Sequence, residues 1–156
     1  MRYLLIDRVL RLERNISVLA IKNVSLSEDV FTDHFPGSPV MPGALMIEAA
    51  AQAGTALLEV SGDFKKKAFL AMVERAKFRS MVRPGDQILI DVKLSSATEE
   101  VAQLAAELRV GETLVMDAKL ILALQPSEQL YPQKTRHLVE TAYDIWLDGA
   151  DLVGFG

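Results

Sequence analysis

From Ala44 to about Val60 the chain offers a helix no polar side. Leu45, Met46, Ile47, Ala49, Ala50, Ala51, Ala53, Ala56, Leu57 and Leu58 occupy this proline-free stretch and leave no wide polar face. Alanine, leucine and methionine are good helix formers, and a helix that is hydrophobic all round must be buried. Whatever the chain folds into has to wrap around this segment. Glu48 and Gln52 interrupt it, and four residues apart they stack along one edge of the helix. A buried carboxyl without a partner is costly and usually escapes by raising its pKa. A carboxylic acid held neutral in this way suits a general acid, which makes Glu48 a candidate proton donor.

The residues just before the helix have the opposite character. His34 to Gly43 holds three prolines and two glycines, which excludes regular helix or central strand. His34 carries an imidazole, the side chain best poised for proton transfer near neutral pH. Pro42-Gly43 opens the helix, where the first amide N–H groups have no intrahelical partner. Such a terminus can receive a carbonyl oxygen that gains negative charge. Taken singly, a loop histidine and a Pro-Gly helix start are ordinary features. A solvated Glu48 fits so apolar a helix badly, and the three together place a base, an acid and an oxyanion site in one stretch.

The wrapping element is legible as period-two runs. Asp7 to Leu12 and Ile16 to Val24 read as strands joined by a turn at Glu13-Arg14-Asn15. Ser25 to Asp33 is a polar connection in which Ser27, Glu28 and Asp29 can start one helical turn. Ser61-Gly62-Asp63 stops the central helix, Ala68 to Phe78 is the next strand, and Pro84-Gly85-Asp86 is a tight turn. Ile88, Ile90, Val92 and Leu94 then alternate with polar residues, as do Leu104, Ala106, Leu108 and Val110, and Leu114, Met116, Ala118, Leu120, Leu122 and Leu124. Gly111-Glu112 makes the hairpin between the last two runs. One apolar face per strand marks an antiparallel sheet packed on something apolar. The expectation is an α+β fold, a sheet of five or six strands around one long buried helix.

At 156 residues the chain is expected to be a single domain with a real core. Its net charge of −4 argues against nucleic acid as a partner. No run of 18 apolar residues predicts a membrane span, and Met1-Arg2-Tyr3 leads into the fold without a signal-peptide pattern. There is no cysteine, so no disulfide and no thiol nucleophile, and the two histidines lie far apart, so no metal site is expected. The expected location is the cytoplasm. Positive charge is concentrated in one quarter of the chain, at Lys65, Lys66, Lys67, Arg75, Lys77, Arg79 and Arg83. This is either a solvated face or a landing site for an acidic partner.

His34-Phe-Pro-Gly-x-Pro-x-x-Pro-Gly43, followed by Glu48-Ala-x-Ala-Gln52, resembles the signature of the (3R)-hydroxyacyl-[acyl carrier protein] dehydratases of FabZ type, which have the hot-dog fold. The related dehydratase–isomerases carry Asp at the helix position, so Glu48 implies no isomerase activity. Leu5 to Val9, Ile21 to Val24, Arg75 to Arg79 and Val82 to Asp86 extend the resemblance over roughly residues 3 to 124. The resemblance implies a hot-dog domain over 1–124 and leaves 125–156 as an extension packed on the same or a neighbouring subunit; the residues themselves read as helix from Thr135 to Leu147, with Leu138, Val139, Ala142, Ile145 and Trp146 as an apolar stripe and His137 on the surface.

The implied reaction removes water from a (3R)-hydroxyacyl thioester in fatty-acid or related lipid or polyene synthesis. In it His34 takes the C2 proton with its second nitrogen held by a carbonyl near Val40. Glu48 protonates the leaving hydroxyl, the Gly43 N–H polarises the thioester, and Gln52 orients Glu48. No cofactor is implied beyond the phosphopantetheine arm of acyl carrier protein, which Lys77, Arg79, Arg83 and the Lys65–Lys67 run would dock. A homodimer with shared sites is implied, with a trimer of dimers as a larger assembly. Two alternatives stand beside this: a hot-dog thioesterase or CoA hydratase, and a non-catalytic acyl-carrier-binding subunit. Asp33, where the family usually has glycine, would raise the His34 pKa or alter its backbone, and so bears on the last alternative.

Overall fold

Helix α1 runs from Gly43 to Ser61, and the rest of the chain is built around it. The computed structural model describes residues 3–130 and 136–156, with the backbone alone for 136–139 and 142. Ala49, Ala50, Ala53, Ala56 and Leu57 of α1 are wholly out of solvent. Gly54 permits the closest approach, because a Cβ there would fall 2.3 Å from Leu104 Cδ1. The helix stops at Gly62, whose N–H donates to the Leu58 and Val60 carbonyls, and Asp63 and Phe64 then take positive φ.

The sheet has seven strands: β1 (Arg8–Glu13), β2 (Ser17–Asn23), β3 (Lys66–Phe78), β4 (Gln87–Ala97), β5 (Val101–Val110), β6 (Thr113–Pro126) and β7 (Asp151–Val153). They lie in the order β3-β6-β5-β4-β2-β1-β7, antiparallel except for the β1–β7 pair. The expected count of five or six was short by the last strand, which has three residues and no alternation to betray it. The expected apolar face is buried: Ile88, Ile90, Val92, Leu104, Leu108, Met116, Leu120 and Leu122 all pack into the core with α1. Each such side chain contributes about 1.5–3 kcal/mol by leaving water. Gly111 adopts φ 56° at the β5–β6 turn, where Val110 pairs Thr113.

The helical turn expected at Ser27 is a 3-10 turn over Asp29–Thr32. Glu28 does not cap it, because its carboxylate accepts instead from Lys22 Nζ at 2.9 Å and the Ser25 N–H at 3.0 Å. This pairing lets Lys22 lie 6% exposed.

The C-terminal residues fold back on the same chain. A short helix α2 (Ser127–Leu130) leads toward α3 (Arg136–Leu147), which packs against β1, and β7 then extends the sheet. Tyr143 and Trp146 are buried, their rings edge to face at 5.5 Å. Ile145, expected in the apolar stripe, points outward at 70% exposure, since it follows Tyr143 by two and falls off the Tyr143–Trp146 face. The stripe's Leu138, Val139 and Ala142, the surface reading of His137, and the start at Thr135 lie outside the described residues. Among the described residues no helix is long and apolar enough to cross a membrane.

Candidate active site

The proline-rich loop is held from both sides. Met41 N–H donates to the Val82 carbonyl at 2.8 Å, and Arg83 reaches Ser38 Oγ at 3.4 Å and the Pro39 carbonyl at 3.3 Å. His34 sits half-buried in this loop, its backbone N–H on the Val30 carbonyl and its ring stacked on Phe35 at 4.1 Å. Its Nδ1 lies 2.7 Å from the Val40 carbonyl oxygen. A carbonyl can only accept, so Nδ1 carries the hydrogen and Nε2 of the neutral ring keeps its lone pair. Asp33 is exposed, and no hydrogen bond or ion pair among the described residues joins it to His34.

Glu48 lies one turn into α1 and is half-buried, less enclosed than an all-apolar helix led one to expect. Its side chain lines a groove beside Phe69 and Leu70 of β3 instead of packing into the core. Gln52 Nε2 donates to Glu48 Oε1 at 2.9 Å, the contact that four-residue spacing on a helix provides. The same amide donates to the Tyr3 carbonyl and its Oε1 accepts from the Leu5 N–H, each at 2.9 Å. With every polar atom of Gln52 committed, the orientation of its amide toward Glu48 is fixed. Among the described residues no side chain caps the start of α1, where the first N–H groups, that of Gly43 included, have no intrahelical partner. A Cβ at Gly43 would come within 2.7 Å of the Phe78 ring, which closes over this helix end.

Glu48 and Gln52 line a groove of about 430 Å³ that runs along α1 past Ala51 and Thr55. Phe69 and Leu70 of β3 complete its lining with Tyr143 and Trp146 of α3, the latter pair toward Glu59, whose carboxylate accepts from the Tyr143 hydroxyl. Among the described residues, the groove that holds Glu48 does not take in His34.

The positive cluster is divided by the length of β3. Lys66 and Lys77 are near opposite ends of the strand, roughly 35 Å apart at ~3.3 Å per residue. At one end, Lys66 binds Glu99, and Lys67 pairs with Glu59 at 2.8 Å. At the other, Arg79 and Arg75 share Asp117 at 2.6 and 3.0 Å, while Arg83 braces the His34 loop. Lys65 and Lys77 are exposed, with no ion pair among the described residues.

Helix α1 holds one further acidic residue whose position is plain in the sequence and whose partners only the fold supplies. Glu59 is a second carboxylate on the apolar helix, and it is 2% exposed. It accepts from Lys67 Nζ at 3.0 Å, from the Ala68 N–H at 2.9 Å and from the Tyr143 hydroxyl. Among the described residues no group of three or more His, Cys, Asp or Glu could hold a metal ion.

The FabA-like domain family matches residues 1–119 of this chain. A 3-hydroxyacyl-[acyl-carrier-protein] dehydratase FabZ of Caldicellulosiruptor saccharolyticus is 37% identical over 124 residues, which cover 79% of this chain and 89% of that protein. The protein of the same name from Rickettsia massiliae is 45% identical over 117 residues, 67% of this chain and 81% of that one. Among solved structures, a conserved protein of Pseudomonas aeruginosa shares the fold with a TM-score of 0.62 at 14% identity, over 76% of this chain and 87% of that one.

Proposed function

The chain belongs to the FabA-like domain family, and from that premise we propose that it is a hydro-lyase converting (3R)-hydroxyacyl-[acyl carrier protein] to the trans-2-enoyl thioester in fatty-acid synthesis. The observation that carries the mechanism is the commitment of His34 Nδ1 to the Val40 carbonyl, which leaves Nε2 as the base. Nε2 takes the C2 proton, and the thioester oxygen gains negative charge against the Gly43 N–H. One such donor is worth about 2.7–4 kcal/mol in the transition state. The C3–O bond breaks as Glu48 gives its proton to the departing hydroxyl, so water leaves with the C2 hydrogen and C3 hydroxyl accounted for. Transfer of the proton from His34 back to Glu48 resets the pair. The thioester itself acidifies C2, and no cofactor enters.

The site is shared between two copies of the chain in this reading. Edge strand β3 leaves Met72 55% and Phe78 51% exposed, together with Phe69, Leu70 and Val73. A long apolar edge of this kind invites pairing with another chain. Pairing of β3 with β3 brings the His34 loop of one subunit toward the Glu48 groove of the other. Lys77, Arg79 and Arg83, which share an end with the His34 loop, are better placed than Lys65–Lys67 to dock the acidic carrier near the reacting thioester. The enzyme works in the cytoplasm, where its carrier-bound substrate is made.

The test is dehydration of a short (3R)-hydroxyacyl-[acyl carrier protein], followed by enoyl absorbance, for wild type, His34→Ala and Glu48→Gln. The expected result is robust wild-type turnover that collapses in both variants. Carrier binding without turnover on any substrate would replace this reading with that of a non-catalytic carrier-binding subunit.

A further inference from the structure

We infer that Tyr143 and Trp146 of α3 close the far end of the groove that begins at Glu48, and so set the acyl length the enzyme accepts. The inference rests on the dehydratase reading and concerns a segment that lies beyond the matched family region of 1–119. The groove follows one face of α1, from Glu48 through Gln52 to Thr55. The seven steps of helix from Glu48 to Thr55 rise about 10 Å, a distance suited to a medium acyl chain rather than a long one. Glu48 faces the C3 hydroxyl in the proposed reaction, so the aliphatic tail beyond C3 leads away from it along this face.

The far wall is both apolar and fixed. Tyr143 and Trp146 are one turn apart on α3 and present the same side of that helix to the groove. Tyr143 is pinned at both ends, its hydroxyl on buried Glu59 and its ring edge-on to Phe64 at 5.1 Å and Trp146 at 5.5 Å. Lys67, the one cation on the groove lining among the described residues, has its charge matched by Glu59 at 2.8 Å. The end of the groove therefore presents rings and a neutralised pair, which an alkyl chain can meet but not displace cheaply. A wall held this way acts as a ruler.

The test is the kcat/KM profile on carrier-bound substrates from (3R)-hydroxybutyryl to (3R)-hydroxypalmitoyl for wild type, Trp146→Ala and Thr55→Leu. Removing the wall is expected to raise the palmitoyl-to-butyryl ratio about tenfold, and filling the groove from the α1 side to lower it by a similar factor. Opposite shifts from two walls are not what loss of stability gives. Trp146→Leu serves in the same comparison should the alanine variant fail to fold. An unchanged ratio in both variants, or a wild type that already prefers palmitoyl, overturns the inference while the dehydratase reading stands. A groove occupied by the partner subunit would show instead as dimer dissociation in Trp146→Ala with no change of ratio, which also overturns it. A wild type inactive even on hydroxybutyryl overturns the reading beneath it, and the inference with it.

Discussion

His34 and Glu48 are both half-buried and each is held by one neutral partner, so their removal is expected to cost activity more than stability. His34→Ala and Glu48→Gln should each lower kcat by roughly 10²–10⁴-fold, the range of general acid–base catalysis, with melting temperatures close to wild type. Gln52 is a different case. Its amide ties Glu48 to the backbone of Tyr3 and Leu5, and Leu5 is buried. Gln52→Leu should therefore cost about 1–3 kcal/mol in urea unfolding, through the stranded Leu5 N–H, and lower kcat as well. The Glu48–Gln52 contact was legible because helical spacing alone brings those residues together. Glu59 was not, because its Tyr143 partner lies 84 residues away and only the tertiary fold joins them. Tyr143→Phe should destabilise the chain by about 1–3 kcal/mol by taking a donor from that buried carboxylate, checked by thermal and urea melts.

At the scale of elements, the apolar helix and the period-two strands were readable because each repeats one local rule over many residues. The β4, β5 and β6 faces emerged from the alternation of Ile88–Ile90–Val92, Leu104–Leu108 and Met116–Leu120–Leu122 alone. Strand β7 did not, since three residues carry no period and its parallel pairing with β1 depends on where α3 delivers the chain. The charge cluster misled for a related reason: residues close in sequence lie far apart when the segment between them is an extended strand. What distinguishes Lys67 from Lys77 is the side chain each meets, which sequence does not carry. The fit of α1 against the sheet makes its own prediction. Gly54→Val would drive a side chain into Leu104, and an overpacking penalty of about 1–3 kcal/mol is expected from chemical denaturation.

At the scale of the whole molecule, the proposed two-chain site accounts together for the open edge β3 and for the separation of His34 from the Glu48 groove. Met72→Glu puts a charge on that edge where the side chain is 55% exposed, so the fold should survive while the assembly does not. Sedimentation should then report a monomer, and dehydration should be lost with it. The most direct test mixes two dead enzymes. His34→Ala and Glu48→Gln subunits, co-expressed in equal amounts, give mixed dimers in which one site inherits both intact groups if each site draws on two chains. The account predicts recovery of about a quarter of wild-type activity, from half the dimers carrying one good site of two. No recovery, with mixed dimers shown to be present, would contradict a shared site and place His34 and Glu48 of one chain in the same site.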